Sequence, residues 1–234
     1  MTQTFFDRIE DKYFITQNQY HSLTTVLTQY GQLDKYGNYP ISSVYFDNTQ
    51  AQLAQQSILF PLDNQKLRLR QYSHAAFCKN HSVMFELKER INGRVRKTRT
   101  ILPFADFLKL SHNMKSSQIP NVTLDTLLRF QTEYQLIPQL LIQYFREAYY
   151  FDQTPDLRIT FDTQICCFPI SSLGEVVSDP TFSLLSSGQY LLEIKYDHEI
   201  PSWLTDFLQK NQIYKTEYSK YVSAYKLLFS QISG

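Results

Sequence analysis

QKLRLRQY, residues 65–72, places a charged side chain at every second position: Lys66, Arg68 and Arg70, with Leu67 and Leu69 between them. A strand puts residues i, i+2 and i+4 on one face, so this stretch has one basic face and one apolar face. The pattern recurs. Arg8, Glu10 and Lys12 alternate in FFDRIEDKYFI (5–15), and Glu86 and Lys88 in VMFELKE (83–89). Arg158, Thr160 and Asp162 alternate in LRITFD (157–162), and Glu193 and Lys195 in YLLEIKY (190–196). One such strand reads as a solvated face with cross-strand ion pairs. Five of them, mixing Lys and Arg with Glu and Asp, point instead to a shared polar surface able to hold a polyanion and a metal.

The composition narrows what that surface does. The chain has 234 residues, 43% of them hydrophobic, enough for a sizeable core. It has 6 glycines and neither G-x-G-x-x-G nor G-x-x-x-x-G-K-[ST], so side chains rather than a glycine-rich loop must grip any phosphate. A formal net charge of +1 excludes a generic nucleic-acid binder with a basic exterior and confines any basic site to one region. Cys78, Cys166 and Cys167 form no C-x-x-C, which argues against a disulfide framework or zinc site and for reduced thiols. The N-terminus is charged within its first ten residues, and no run approaches the ~18 apolar residues of a membrane span. The expectation is a soluble, cytoplasmic protein with no transmembrane segment.

No repeat, low-complexity tract or linker divides the chain, and the reading is one domain over residues 1–234. A first strand spans 5–15. Thr16 caps a helix over 17–30 with Tyr20, Leu23, Val26, Leu27 and Tyr30 on its apolar side, and Gly31 stops it. Strands follow at 41–48, 65–73 and 81–90, with a short polar helix at 49–57. Asn92-Gly93 makes a hairpin turn into a strand at 94–102. Helices are expected at 103–114 and 123–136, strands at 140–151, 157–168, 172–177 and 189–197, and helices at 201–210 and 218–232. The fold class is α+β and antiparallel. An open sheet and a closed barrel both explain the alternation. A barrel turns the charged face inward, and about eight strands leave room for one small ligand.

In the inward case Lys12, Arg68, Arg70, Lys88, Arg158 and Lys195 repel one another. Glu10, Glu86, Asp162 and Glu193 relieve part of that strain, and a bound polyphosphate relieves the rest. A carboxylate among them is expected to hold Mg2+ or Mn2+, because hard cations prefer oxygen and bridge phosphates. Histidines 21, 74, 81, 112 and 198 are scattered and make no catalytic constellation. Tyr13, Tyr45, Tyr72, Tyr144, Tyr149 and Tyr196 read as barrel wall, with base stacking or phosphate contact as the other use.

The order of these motifs resembles a known superfamily. Arg8-Ile-Glu10-Asp-Lys12-Tyr13 is similar to the opening motif of the CYTH / triphosphate tunnel metalloenzymes. More closely, the chain resembles the VTC-type polyphosphate polymerase domain. The likeness continues through Ser43-Val-Tyr45-Phe46-Asp47, Lys66-Leu-Arg68-Leu-Arg70, Phe85-Glu86-Leu-Lys88 and Gly93 with Lys97-Thr-Arg99. It runs on through Tyr144-Phe-Arg146, Leu157-Arg158 to Asp162, Leu192-Glu193-Ile-Lys195-Tyr196 and Tyr218-Ser219-Lys220-Tyr221. The resemblance implies a tunnel-shaped antiparallel barrel with flanking helices and a basic lumen for triphosphate or polyphosphate. It assigns Lys12, Arg68, Arg70, Lys88, Arg146 and Arg158 to catalysis. It assigns Arg8, Glu10, Lys66, Lys97, Arg99, Lys195 and Lys220 to substrate contact, and Glu193 to the divalent metal. The implied activity extends polyphosphate with the γ-phosphate of ATP. The alternatives are a triphosphatase acting on inorganic or nucleoside triphosphate, or a non-catalytic polyphosphate-binding module. No nucleic-acid partner is implied, and a membrane-associated protein partner stays open. The pattern departs in two places. A lysine is usual three residues before Lys220, where Glu217 stands, and Arg8 replaces the first acid of E-x-E-x-K.

Overall fold

The computed structural model describes residues 8–75, 77, 81–113, 121–173 and 182–229. Cys78, the ends of several expected elements, and most of the strand expected at 172–177 lie outside the described residues. In chain order the elements are β1 (Ile9–Thr16), α1 (Gln17–Tyr30), β2 (Gln32–Leu33), β3 (Tyr39–Asp47), α2 (Gln52–Leu59) and β4 (Asn64–Gln71). Then come β5 (Ser82–Ile91), β6 (Arg94–Pro103), α3 (Phe104–Asn113), α4 (Val122–Glu133), β7 (Ile137–Tyr150) and β8 (Arg158–Pro169). β9 (Phe182–Ser183), β10 (Gln189–Tyr196), α5 (Ser202–Lys210) and α6 (Lys220–Phe229) complete the chain.

Period-two alternation makes every long strand two-faced, and the sheet sorts those faces. Its order is β1-β10-β8-β7-β3-β4-β5-β6, with β2 on β7 and β9 on β8. Each pairing is antiparallel. The sheet curls until its edge strands approach, and Arg8 bridges to Val95 along the seam. Lys88 of β5 reaches Glu10 of β1 at 3.2 Å across the interior. The charged faces therefore turn inward and the apolar faces outward.

Helices cover the outward faces. Leu67, Leu69, Phe85 and Leu87 pack under Phe104 and Phe107 of α3 and Leu124 and Leu127 of α4. Tyr13, Ile15, Phe161, Leu192 and Ile194 pack under Leu23 and Leu27 of α1 and Leu204 and Leu208 of α5. α6 instead packs on the inward face, against Tyr45, Ile142 and Tyr144 through Tyr221 and Ala224. α1 begins where expected, with Thr16 and Gln19 forming a reciprocal capping box. Gly31 ends it for a steric reason. A Cβ there would meet the Phe151 ring and the Tyr150 carbonyl at 2.6 Å. Asn92 and Gly93 take φ of 50° and 79°, as the hairpin turn requires.

α2 starts three residues later than expected. Ala51 precedes it at φ 53° and offers no side-chain cap. Its first amides are met from β3 instead: Leu53 N–H and Ala54 N–H donate to the Asp47 carboxylate at 2.9 Å each. The two-residue strands β2 and β9 carry too little pattern to be read from sequence.

Candidate functional site

The barrel encloses a cavity of about 290 Å3, lined by eleven Lys and Arg side chains and three Glu. β1, β3, β4, β5, β6, β7 and β10 supply most of the wall, and α2, Pro61, α6 and residues 217–219 supply the rest.

Its innermost cations are positioned by buried carboxylates that share their inward faces. Asp162, fully buried, accepts a two-pronged contact from Arg146, at 2.5 Å from Nε and 2.7 Å from Nη2. Lys220 Nζ lies 2.5 Å from the same carboxylate. Glu193 is ringed by Arg146 Nη2 at 3.0 Å, Lys195 Nζ at 2.7 Å and Lys220 Nζ at 2.8 Å. Arg146 and Lys220 lie over the Tyr144 ring at 5.3 and 4.9 Å, within cation–π range. Arg70 donates to Ser43 Oγ and Tyr144 Oη at 3.0 Å each. Glu86, also fully buried, holds Arg68 Nε at 2.8 Å and Arg99 Nε at 2.6 Å. Nearer β1, Glu10 sits between Lys88 at 3.2 Å and Lys12 at 3.3 Å. Lys66 Nζ donates to Asn64 Oδ1 at 2.8 Å.

The electrostatics follow from that crowding. Burial works to raise the Glu10, Glu86 and Glu193 carboxyls. Their cationic neighbours outweigh it and hold all three well below the usual carboxylate range. Burial and neighbouring cations lower Lys66 to about 7 and Lys97 to about 7, the latter against the pull of Glu86. Burial also lowers Lys88 to about 8, although Glu10 opposes it. Asp162 and Glu193 overcome the burial of Lys220 and raise it. Positive charge is concentrated on this lining, an arrangement suited to binding an anion.

Eleven residues singled out from the sequence line this cavity: Glu10, Lys12, Lys66, Arg68, Arg70, Lys88, Lys97, Arg146, Glu193, Lys195 and Lys220. Three do not. Arg158 opens β8 as the register partner of Lys195, but its guanidinium turns to Asp34 at 3.0 Å and is 40% exposed. Arg8 sits on the barrel seam beside Asp197 at 3.2 Å and Asp156 at 3.8 Å. Arg99, the register partner of Glu86, is held by it and does not reach the cavity lining. Of the six tyrosines, Tyr45 and Tyr144 line the cavity. Tyr13 and Tyr149 belong to the core under α1 and α5, Tyr196 bonds Asp11, and Tyr72 is exposed.

Sequence reasoning passed over Arg90, Lys226, Ser57 and Asn64, which also line the cavity. Arg90 was within reach, being the next step of the Glu86, Lys88 alternation. Lys226 and Ser57 arrive on helices, outside any strand period. Glu217 lines the opening, with its side chain 75% exposed and 4.0 Å from Arg90.

Among the described residues, no three His, Cys, Asp or Glu side chains converge on one point, so the chain alone does not cage a metal. A hard dication needs only one or two carboxylates when phosphate oxygens and water complete its shell. Glu193 and Glu10 face the cavity and supply oxygen donors of that kind. That donor set fits Mg2+ or Mn2+ bound together with phosphate.

The VTC domain family matches residues 7–229. No curated protein matches the sequence. Among solved structures, a candidate adenylate cyclase from Bacillus halodurans is similar at a TM-score of 0.55 and 14% identity, covering 96% of this chain and 100% of that one. A candidate adenylyl cyclase from Hippeastrum, described as having a dominant triphosphatase activity, is similar at 0.52 and 14%, covering 93% of each chain. A candidate adenylate cyclase from Vibrio parahaemolyticus is similar at 0.50 and 13%, covering 93% of this chain and 97% of that one. These likenesses are of fold, and the fold is that of the triphosphate tunnel proteins. Among the described residues, no helix is long and apolar enough to cross a membrane.

Proposed function

Because the chain belongs to the VTC domain family, we propose that its basic cavity transfers the γ-phosphate of ATP to the end of a polyphosphate chain. The observation that carries this reading is the cavity lining of eleven cations against three carboxylates. Buried Glu86 and Asp162 aim the guanidinium groups of Arg68 and Arg146. Phosphoryl transfer asks mainly for positioning and charge neutralisation. A terminal oxygen of the acceptor chain attacks the γ-phosphorus as the bond to the ADP oxygen breaks. That oxygen is already anionic, so no strong general base is needed, and among the described residues no histidine lines the cavity. Lys12, Arg68, Arg70, Lys88, Arg146 and Lys220 take the charge on the equatorial oxygens. Glu193, with Glu10 beside it, would hold the divalent cation, which neutralises phosphate oxygens when bound. A cytoplasmic site, with ATP at hand and reduced thiols at Cys166 and Cys167, accords with this chemistry.

A second reading makes water the acceptor, so that the same cavity hydrolyses a triphosphate. Glu217 at the opening favours it, because a carboxylate there opposes entry of a long polyanion.

One assay divides these readings. Purified protein is incubated with ATP, Mn2+ and a short polyphosphate primer. Chain growth with ADP release is the expected result. Free phosphate without chain growth supports the hydrolase, and tight polyphosphate binding with neither product supports a binding module. Glu193→Gln is expected to abolish metal-dependent turnover while anion binding persists. Full activity in that variant removes Glu193 from the metal site.

A further inference from the structure

We infer that Glu217 sets the length of phosphate chain that the cavity accepts, favouring a triphosphate over a long polyphosphate. The inference rests on the reading of the cavity as a phosphate-chain site and adds a specificity determinant to it: the transfer reaction then works on short acceptor chains.

The first observation is size. The cavity, of about 290 Å3, is far too small for a chain of tens of phosphate units, so such a chain must extend through the opening.

The second observation is what stands there. Glu217 lines the cavity, yet its side chain is 75% exposed, whereas Glu193 and Glu10 are 7% and 11% exposed. The inner two are compensated at close range. Glu193 has three cations within 3.0 Å, and Glu10 has two within 3.3 Å. Glu217 has a loose contact, 4.0 Å to Arg90, and Arg90 is itself tied back to the Pro61 carbonyl at 3.0 Å and the Gly93 carbonyl at 3.3 Å. The inner carboxylates are thus neutralised, and Glu217 presents negative charge to whatever passes.

The third observation is that Glu217 is held in place. Thr216 N–H donates to the Lys12 carbonyl at 2.8 Å, and Lys12 Nζ donates to the Tyr218 carbonyl at 2.7 Å. The backbone on both sides of Glu217 is pinned to β1, which anchors the base of its side chain beside the opening.

A phosphate unit passing at ~6 Å, in a medium between water and protein, feels a repulsion that lowers affinity about three- to tenfold. Phosphates seated deeper feel less of it, and salt screens it. The same charge therefore discriminates by length.

The test measures affinity for inorganic tripolyphosphate and for a long polyphosphate of about 60 units, counted per chain end, at low and high salt. Wild type is compared with Glu217→Gln and Glu217→Lys, exposed substitutions that leave the core intact. The expected result is a long-to-short affinity ratio that rises about three- to tenfold in Glu217→Gln and further in Glu217→Lys, with the gap narrowing at high salt. If tripolyphosphate binds and the ratio does not move, the inference is overturned and the phosphate-chain reading stands. Equal tightening of both ligands also overturns it, since Glu217 would then act on net charge alone. If wild type binds neither ligand, the reading beneath it falls as well.

Discussion

Glu86 and Asp162 are fully buried and never meet the cavity solvent, yet they decide how Arg68 and Arg146 present themselves. A guanidinium held by a carboxylate at its back keeps its remaining N–H groups aimed forward. Residues that look alike in sequence part ways here. Lys66 and Arg158 both sit in charged alternations, but Lys66 lines the cavity and Arg158 turns to Asp34. Lys66→Ala should therefore weaken tripolyphosphate binding about tenfold or more, the loss of one charge-assisted contact. Arg158→Ala should change it less than about twofold. Titration calorimetry on both variants checks this, and equal losses would place Arg158 in the site after all. Lys66 and Lys97, lowered to about 7, lead to a pH prediction. Near neutral pH each is partly uncharged, and a bound anion favours the charged form. Binding should take up protons, and affinity should fall as pH rises above about 7. Calorimetry in buffers of different ionisation enthalpy reads the uptake, and zero uptake would sink the prediction.

At the scale of elements, Asp47 joins three of them. From the end of β3 it accepts the first free amides of α2 and, at 2.5 Å, the hydroxyl of Tyr221 on α6. Lys220 precedes Tyr221, so the same carboxylate fixes where α6 delivers a cation to the cavity. Asp47→Ala leaves two buried amides and a hydroxyl without their acceptor, at about 1–3 kcal/mol for each group left unsatisfied. Urea unfolding should show a loss of at least about 2 kcal/mol, accompanied by weaker tripolyphosphate binding. Unchanged stability would mean that water replaces the carboxylate. Much at this scale was legible. The Thr16 cap and the Asn92-Gly93 turn are local signals and appear where the sequence puts them; α1 also ends at Gly31, but what demands a glycine there is the distant Phe151 ring and Tyr150 carbonyl. The start of α2 was not legible, because its N-cap residue Ala51 has no capping side chain and the helix amides are met by Asn48 and Asp47, three and four residues before Ala51.

At the scale of the molecule, a net charge of +1 conceals a strongly basic interior. Placing those cations side by side costs stability that an anion restores. Tripolyphosphate at a hundredfold excess over its Kd should stabilise the fold by about 2.7 kcal/mol. A domain of this size gains roughly 2–4 °C in Tm for each kcal/mol. Orthophosphate at the same concentration should do much less, because it spans fewer of the cations. Equal shifts from both anions, read by thermal denaturation, would argue for general charge screening and against a chain-shaped site.

The sequence by itself determined which side chains share a strand face, because a period of two follows from backbone geometry within each strand. It also determined the family, through the order of those strands. Periodicity alone left open which way the charged face turned, which the family resemblance directed inward, and how far along the barrel each residue would sit. Curl and register decide both, and they come from pairings between distant segments such as Arg8 with Val95 and Lys195 with Arg158. Lys195 and Arg158 are opposite each other in the sheet, yet one lines the cavity and the other pairs outside it. Only the tertiary structure separated them, since an outlying Asp34 on the loop after β2 drew Arg158 away.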